Sequence, residues 1–546
     1  VGDWETIAGW NPAALRAVGD DLAAELRRLK GTEAELRAAA TPQEWEGEAA
    51  EAARRSLAEI ERGVLHRVEE FAMLQAAVDD AAERLQRLHD AMHAAAEFAR
   101  AHGYEIADGV VRPRPDGEPS QDPDVRAHLE AKVEQIVRTG LDIDADLTMV
   151  MQSVLDGKGH SDSETMTKAA EAGAESGQST VPDPPENGTP AQNKAWWDTL
   201  SDSERAWLIA HRPEVIGNLK GIPYQARHEA NVNRLAIERE RLLELRENLR
   251  DWKFVLERAR EVGIGQTISD LRHIDDKLKA LDVLERQAEH NSIISLDTSG
   301  ERVRAAVAIG DVDNADYVAV HTPGMNSAVE DNMNRYVDEL REVTQYAQDM
   351  LVGTDKTVAT VVWMDYLPPK TSVDEIVEGI FDDRAEDGAK RLAAELEGLR
   401  ASRMDHPPDR VTAIGHSYGS LTTALALRET DAVDAFVSQG SPGWNGDDGL
   451  KVPPGELYNM RTDGDLIAGT GWYGGNPEHY DGVRQLDTDD AVTVDGDPLA
   501  GSEGHSGYTE ADRVKATSEY NTAAVITGRH DLLIEKQPPR EHVDTR

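Results

Sequence analysis

The sequence predicts an α/β fold, a mostly parallel sheet flanked by helices, behind an all-α N-terminal hairpin or bundle and a long helical insertion. Three observations predict it. From Ile293 onward, short β-rich runs alternate with helical ones. Before that point, apolar residues recur at helical spacing through long charged stretches. Within the β-rich part, Gly415-His416-Ser417-Tyr418-Gly419 lies between the run Val411-Thr412-Ala413-Ile414 and a helical run starting near Leu421, which reads as strand, sharp turn, helix.

Asn11-Pro12 reads as a helix start with Pro at the first helical position, and Leu15, Val18, Leu22, Leu26 and Leu29 follow at helical spacing. After a break at Thr41-Pro42 and Trp45-Glu46-Gly47, a longer stripe runs through Leu57, Ile60, Val64, Val68, Phe71, Leu74, Val78, Leu85, Leu88 and Met92. These two helices are expected to fold back as an antiparallel hairpin. A third, over 124–155, follows a Pro-rich interruption at 111–123 and is expected to pack on them, making 1–155 one all-α unit. Residues 156–192, rich in Gly, Ser, Thr, Glu and Pro, lack the apolar content that offsets the entropy of ordering, and are expected as a flexible linker.

Helical texture resumes at Ala195-Trp196-Trp197, and the dense Leu and charge pattern over 229–290 predicts a long helical hairpin, so 193–292 leads into the sheet. Its position suits a lid over a site. Strands are expected at 302–309, 317–321, 358–363, 411–414, 435–438 and 456–460, and helices at 329–350, 384–400 and 420–428. Residues 293–535 thus form the α/β domain and 536–546 a charged tail.

Of the 546 residues, 58 are Lys or Arg and 103 Asp or Glu, a formal charge of −45. Such a field repels phosphate backbones, so nucleic acid is not an expected partner. With no cysteine, disulfides, thiolate metal sites and a Cys nucleophile are excluded. No apolar run approaches the roughly 20 residues of a transmembrane helix, and residues 1–10 are acidic rather than basic and then apolar as a Sec signal is. The chain is expected to be soluble, and either cytoplasmic or secreted by a non-Sec route.

A serine hydroxyl is a weak nucleophile until a base takes its proton, and a nucleophile on a strained turn needs small residues on either side. Ser417, between Gly415 and Gly419, meets that requirement, and a histidine steadied by a carboxylate should follow it in the chain. The strand-like run 456–460 leads into Asp463-Gly464-Asp465; Asp465, before a short apolar step, is the first candidate for the acid and Asp463 the alternative. Among the later histidines, His505 lies in a loop of small residues ahead of a helical stretch and is the favoured base, with His479 the runner-up. Backbone donors for a developing oxyanion are expected from Tyr418 and from Met325 or Asn326, in the glycine-containing exit of the 317–321 strand. There is no Walker loop, dinucleotide fingerprint or His-Glu-x-x-His, so neither cofactor nor metal is expected; Asp311-Val312-Asp313-Asn314 and Asp487-Thr488-Asp489-Asp490 are better read as turns than as calcium loops.

With the elbow in place, the surrounding residues resemble an α/β-hydrolase family of unassigned function common in high-GC Gram-positive bacteria. The likeness covers roughly 195–527: Trp196-Trp197, the run Gly217-Asn218-Leu219-Lys220-Gly221-Ile222-Pro223, residues 231–235, Leu296-Asp297, Ala308-Ile309-Gly310-Asp311, the elbow and the Gly504 to Tyr508 segment. It implies a lipase- or esterase-like hydrolase acting on a small-molecule or lipid acyl substrate. The first hundred residues are similar to the hairpins of WXG-type substrates of type VII secretion, with Trp45-x-Gly47 in the turn and Tyr104-x-x-x-Asp108 resembling the export signal behind it. That likeness implies export, with secretion machinery or a helical partner chain engaging residues 1–110. The alternative to an exported hydrolase is a secretion-associated interaction protein on a catalytically weak hydrolase scaffold.

Overall fold

The computed structural model describes residues 4–32, 35–36, 46–157, 165–177, 181–248, 260, 264–370, 381–446, 448–509 and 515–536, with the backbone alone at 264–272 and 381–382. They divide into two units, Val1–Arg205 and Ala206–Arg546.

The first unit holds α1 (Trp4–Ala8), α2 (Pro12–Gly31), α3 (Glu48–Ala101), a hairpin of β1 (Tyr104–Ala107) and β2 (Val110–Pro113), α4 (Pro123–Leu155), α5 (Met166–Gly177) and α6 (Pro190–Thr199). Asn11 caps α2, its side-chain oxygen accepting the Ala13 and Ala14 N–H groups at 3.1 and 3.2 Å. Helix α2 runs antiparallel to α3: Gly19 lies against Val78 and Asp79, while Leu26 clusters with Leu65, Val68 and Ala72. Helix α4 packs on α3, where the buried Arg84 guanidinium donates to Asp146 at 2.7 Å. Thr41, Pro42 and Trp45 lie outside the described residues.

Two features of this unit depart from expectation. The break after α3 is a β-hairpin whose turn, Asp108-Gly109, has φ of 54° and 72°, the doubly positive turn that Asp-Gly favours. The stretch expected as a linker contains α5, whose Met166, Ala169 and Ala170 are buried with α2 and α3. Its glycines explain how. An added Cβ at Gly173 or Gly177 would lie 2.2 Å from the Glu69 or Met73 carbonyl oxygen, so α5 approaches the α3 backbone along a stripe of small residues. Apolar content is low there because close approach, rather than large side chains, does the packing.

The second unit is built on an eight-stranded sheet. After α7 (Tyr224–Asn248) and α8 (Ile264–Ala288) come β3 (Ser292–Asp297), β4 (Arg304–Ile309), β5 (Tyr317–Thr322), α9 (Val329–Asp349), β6 (Val358–Met364), α10 (Phe381–Ser402), β7 (Arg410–His416), α11 (Tyr418–Glu429), β8 (Ala435–Gln439), β9 (Leu457–Met460), β10 (Val483–Leu486) and α12 (Thr517–Ile526). Strand order is β10-β9-β8-β7-β5-β6-β4-β3; pairing is parallel from β10 to β6 and antiparallel at β6-β4 and β4-β3. Strands β3 and β10, at the two edges, were not expected from the sequence. The central strands bury both faces, so alternate residues serve opposite layers: Ala306, Ala308, Val361 and Trp363 face the α10–α11 layer, and Ala305, Val307, Val362 and Met364 the α8–α9 layer.

Side chains from upstream cover the outer edge of β3. Asn218 accepts the Leu296 N–H at 2.9 Å and donates to its carbonyl at 2.8 Å, while at Ile293 the N–H reaches His228 Nδ1 (3.0 Å) and the carbonyl takes Asn231 Nδ2 (3.1 Å). Asn218 and Asn231 belong to the 217–223 and 231–235 runs that carry the family resemblance, and with His228 they stand in for a ninth strand. Behind them Arg227 and Glu395 join α7 to α10 in a bidentate pair at 2.7 and 2.9 Å. At the opposite edge the backbone near the C-terminus pairs with β10: the Asp487 N–H donates to the Ile534 carbonyl and the Lys536 N–H to the Gln485 carbonyl. Among the described residues no helix is long and apolar enough to cross a membrane.

Candidate active site

The carboxyl ends of β5, β7, β8 and β9 converge on Ser417. Its backbone has φ 54° and ψ −127°, a conformation that costs a non-glycine residue strain and that the surroundings impose: the Ser417 N–H donates to the Gln439 carbonyl at 2.8 Å, and the Ser417 carbonyl accepts the Ser420 hydroxyl at 2.6 Å. The flanking glycines are sterically required. A Cβ on Gly415 would meet Ser420 Cα at 2.5 Å, and one on Gly419 would meet the Thr322 carbonyl oxygen at 2.1 Å. This is the sharp turn that the spacing of the two glycines requires.

Ser417 Oγ lies 2.8 Å from His505 Nε2, and His505 Nδ1 lies 3.0 Å from both carboxylate oxygens of Asp465. Asp465 is buried; burial pushes its carboxyl pKa up, and hydrogen bonds from His505, the Ala468 N–H and Tyr508 outweigh this, leaving it below the ordinary value. With the proton on Nδ1 facing Asp465, Nε2 is left as the acceptor for the serine proton. A serine hydroxyl thus lies within hydrogen-bond reach of an imidazole whose other nitrogen meets a buried carboxylate, the geometry that acyl transfer through serine would need.

The histidine loop is fastened at two points. His416, half-buried next to Ser417, bonds through Nε2 to the His505 carbonyl at 2.8 Å; desolvation and then the neighbouring His505 hold its pKa down to about 4, so it is neutral and donates this bond. The Asp463 carbonyl accepts the Gly504 N–H at 3.1 Å, so Asp463, exposed itself, bonds the loop through its backbone while Asp465 meets the imidazole. His479 is exposed at the end of the short helix Pro477–His479 and, among the described residues, makes no bond to Ser417 or Asp465. Asp311 and Asp313 are engaged as turn and cap groups, Asp313 accepting the Tyr224 and Gln225 N–H groups at the start of α7.

Of the candidate oxyanion donors, the Tyr418 N–H directly follows Ser417, at the first position of α11. The loop after β5 passes close to Ser417: a Cβ on Gly324 would lie 2.7 Å from Ser417 Cβ and 3.1 Å from its Oγ. Asn326 is corrected as a candidate, because its N–H donates to the Pro369 carbonyl at 3.0 Å, which leaves Met325. Sequence reasoning missed Gly324, His416 and Tyr508. The first two sit beside residues already singled out, but only contact distances reveal what they do.

The family described as Alpha/beta hydrolase matches residues 298–473, a span that holds Ser417 and Asp465 and ends before His505. The uncharacterized protein Rv2079 of Mycobacterium tuberculosis is 32% identical over 272 residues, 48% of this chain and 40% of that protein, so the chain spans well under half of this relative. The uncharacterized protein Mb0988c of Mycobacterium bovis is 33% identical over 231 residues, 40% of this chain and 82% of that protein. Among solved structures, the dienelactone hydrolase of Anabaena variabilis covers 36% of this chain and 85% of its own at 20% identity and a TM-score of 0.24, a likeness too low to argue from. The mostly parallel sheet between helical layers and the match to Mb0988c over most of its length lead to one assignment: the chain belongs to the α/β-hydrolase family.

Proposed function

We propose that the chain is a serine hydrolase that cleaves an ester or related acyl bond through an acyl-enzyme. Ser417 Oγ attacks the acyl carbon as His505 Nε2 takes its proton; the C–O bond to the leaving group then breaks, and the same proton passes to that group. Water, deprotonated by His505, releases the acid and restores Ser417. Asp465 keeps the imidazole in the required tautomer and stabilises the imidazolium. The Tyr418 and Met325 N–H groups are the proposed donors to the tetrahedral oxyanion. The single observation that supports this reading most is the unbroken relay from Ser417 Oγ through His505 to Asp465. A fluorophosphonate probe tests it: native protein should be labelled and Ser417→Ala should not, and equal labelling of both would overturn the reading.

The proposal of export rests on the resemblance of the N-terminal helices and has one observation against it. Tyr104 is buried on β1 and Asp108 sits in the β1–β2 turn, positions that the hairpin itself accounts for. Deleting residues 1–110 should abolish export if the resemblance is functional, and undiminished export would end it.

A further inference from the structure

Asp465 receives more than the imidazole. Its Oδ1 accepts the Ala468 N–H at 3.0 Å and its Oδ2 accepts the Tyr508 hydroxyl at 2.7 Å, alongside His505. The phenol oxygen of Tyr508 in turn accepts the Thr462 N–H at 3.1 Å. A phenol has one proton, and with the Thr462 N–H on the oxygen, that proton is directed to Asp465 Oδ2. The ring is buried beside Gly440, where φ is +59° and an added Cβ would lie 2.8 Å from the ring and 2.9 Å from Asp465 Oδ2, so nothing larger than glycine fits behind the pair. Burial and the adjacent carboxylate push the Tyr508 pKa well above its ordinary value, so the hydroxyl keeps its proton wherever a serine hydrolase works. Tyr508 also stands three residues after His505, so one loop presents both the base and a donor to the base's acid.

We infer that Tyr508 is a positioning residue for the reaction: its hydroxyl fixes the Asp465 carboxylate in the orientation that receives His505 Nδ1–H and draws off part of the negative charge that the imidazole faces. This rests on the hydrolase reading of the same site. A hydrogen bond donated to a carboxylate weakens its hold on a neighbouring imidazolium. With the donor removed, the full charge of Asp465 faces the ring and that hold strengthens. A general base works in its neutral form, so the acidic limb of the pH profile would lie at higher pH in the variant.

The test is Tyr508→Phe in the full chain, with hydrolysis of p-nitrophenyl acetate followed across pH beside the native protein and Ser417→Ala. The inference requires kcat to fall roughly ten-fold with KM changed less than about two-fold, and the acidic limb of the pH profile to move upward by about half a unit. A purely structural role would lower activity and leave the limb where it was. Replacing Tyr508 with 3-fluorotyrosine keeps the ring and strengthens the donor, so the limb should move downward; should Tyr508→Phe fail to fold, this variant decides. Limbs coinciding with the native protein would overturn the role of Tyr508. Hydrolysis by Ser417→Ala at the native rate would instead overturn the hydrolase reading, so the two failures are distinguishable.

Discussion

Glu395 and Asp465 are both buried carboxylates of the α/β unit, and their neighbourhoods differ in one respect. Around Glu395 every partner is fixed: Arg227 binds both oxygens, the Tyr224 hydroxyl donates at 2.9 Å and the Lys220 ammonium completes the set. Burial pushes the Glu395 carboxyl up, and the charges of Arg227 and Lys220 pull it far below its ordinary value. Around Asp465 the partners lead onward, through an imidazole that can hold either protonation state, to a hydroxyl on a strained turn. A closed network has nothing to exchange and serves the fold. An open-ended one can pass a proton, and the strain at its outer end persists because the surrounding structure holds it there.

The sharpest way to break this contrast is to remove the open end. Ser417→Ala should lower hydrolysis of an ester substrate by more than about 1,000-fold while changing unfolding free energy by less than about 1 kcal/mol, read from steady-state rates and urea titration. Next in size, Glu395→Leu should do the reverse. It leaves Arg227 buried without its counter-charge and should cost about 3–5 kcal/mol of stability, measured by urea unfolding, with the rate per folded molecule unchanged. A large activity loss in folded Glu395→Leu protein would break the separation of roles.

A third carboxyl sharpens the rule. Glu519 on α12 is buried, its Oε2 accepts the Ala516 N–H at 3.2 Å, and its Oε1 has no hydrogen-bond partner among the described residues. Burial raises its pKa from 4.5 to about 7, with Glu342 and Glu339 adding to the rise. The folded chain therefore holds this proton more tightly than the unfolded one, and stability present below pH 4.5 is lost as pH rises through 7. Glu519→Gln should stabilise the protein at pH 8 by no more than on the order of 3 kcal/mol and by much less at pH 5, seen as a change in unfolding midpoint. An equal effect at both pH values would show that Glu519 titrates in the folded protein as it does in the unfolded chain.

Strands β4 to β9 were legible in the sequence because a strand buried on both faces reads as a short apolar run between turn residues. Strand β10 was not, since Val483-Arg484-Gln485-Leu486 buries only its last residue. Neither was β3, whose outer partners are side chains 62 to 78 residues away. Helix α5 escaped notice because Ala169, Gly173 and Gly177 pack by closeness rather than bulk. At the site, the order of Ser417, Asp465 and His505 could be read along the chain, with the first two after strand-like runs and His505 in a loop ahead of a helical stretch. That Asn326 bonds to Pro369 could not, because it depends on how a loop closes in space.

The cover over β3 has a consequence for how copies of this protein meet. An outermost strand with bare N–H and C=O groups is a template on which a neighbour can add its own strand, and such additions propagate into aggregates. Here Asn218, His228 and Asn231 answer the outward groups of Ile293 and Leu296. Those side chains belong to the 217–235 segment, so a cut or substitution that loosens it would uncover the template while leaving the Ser417 turn far down the chain untouched, and would yield a protein that keeps its serine site yet associates through its sheet.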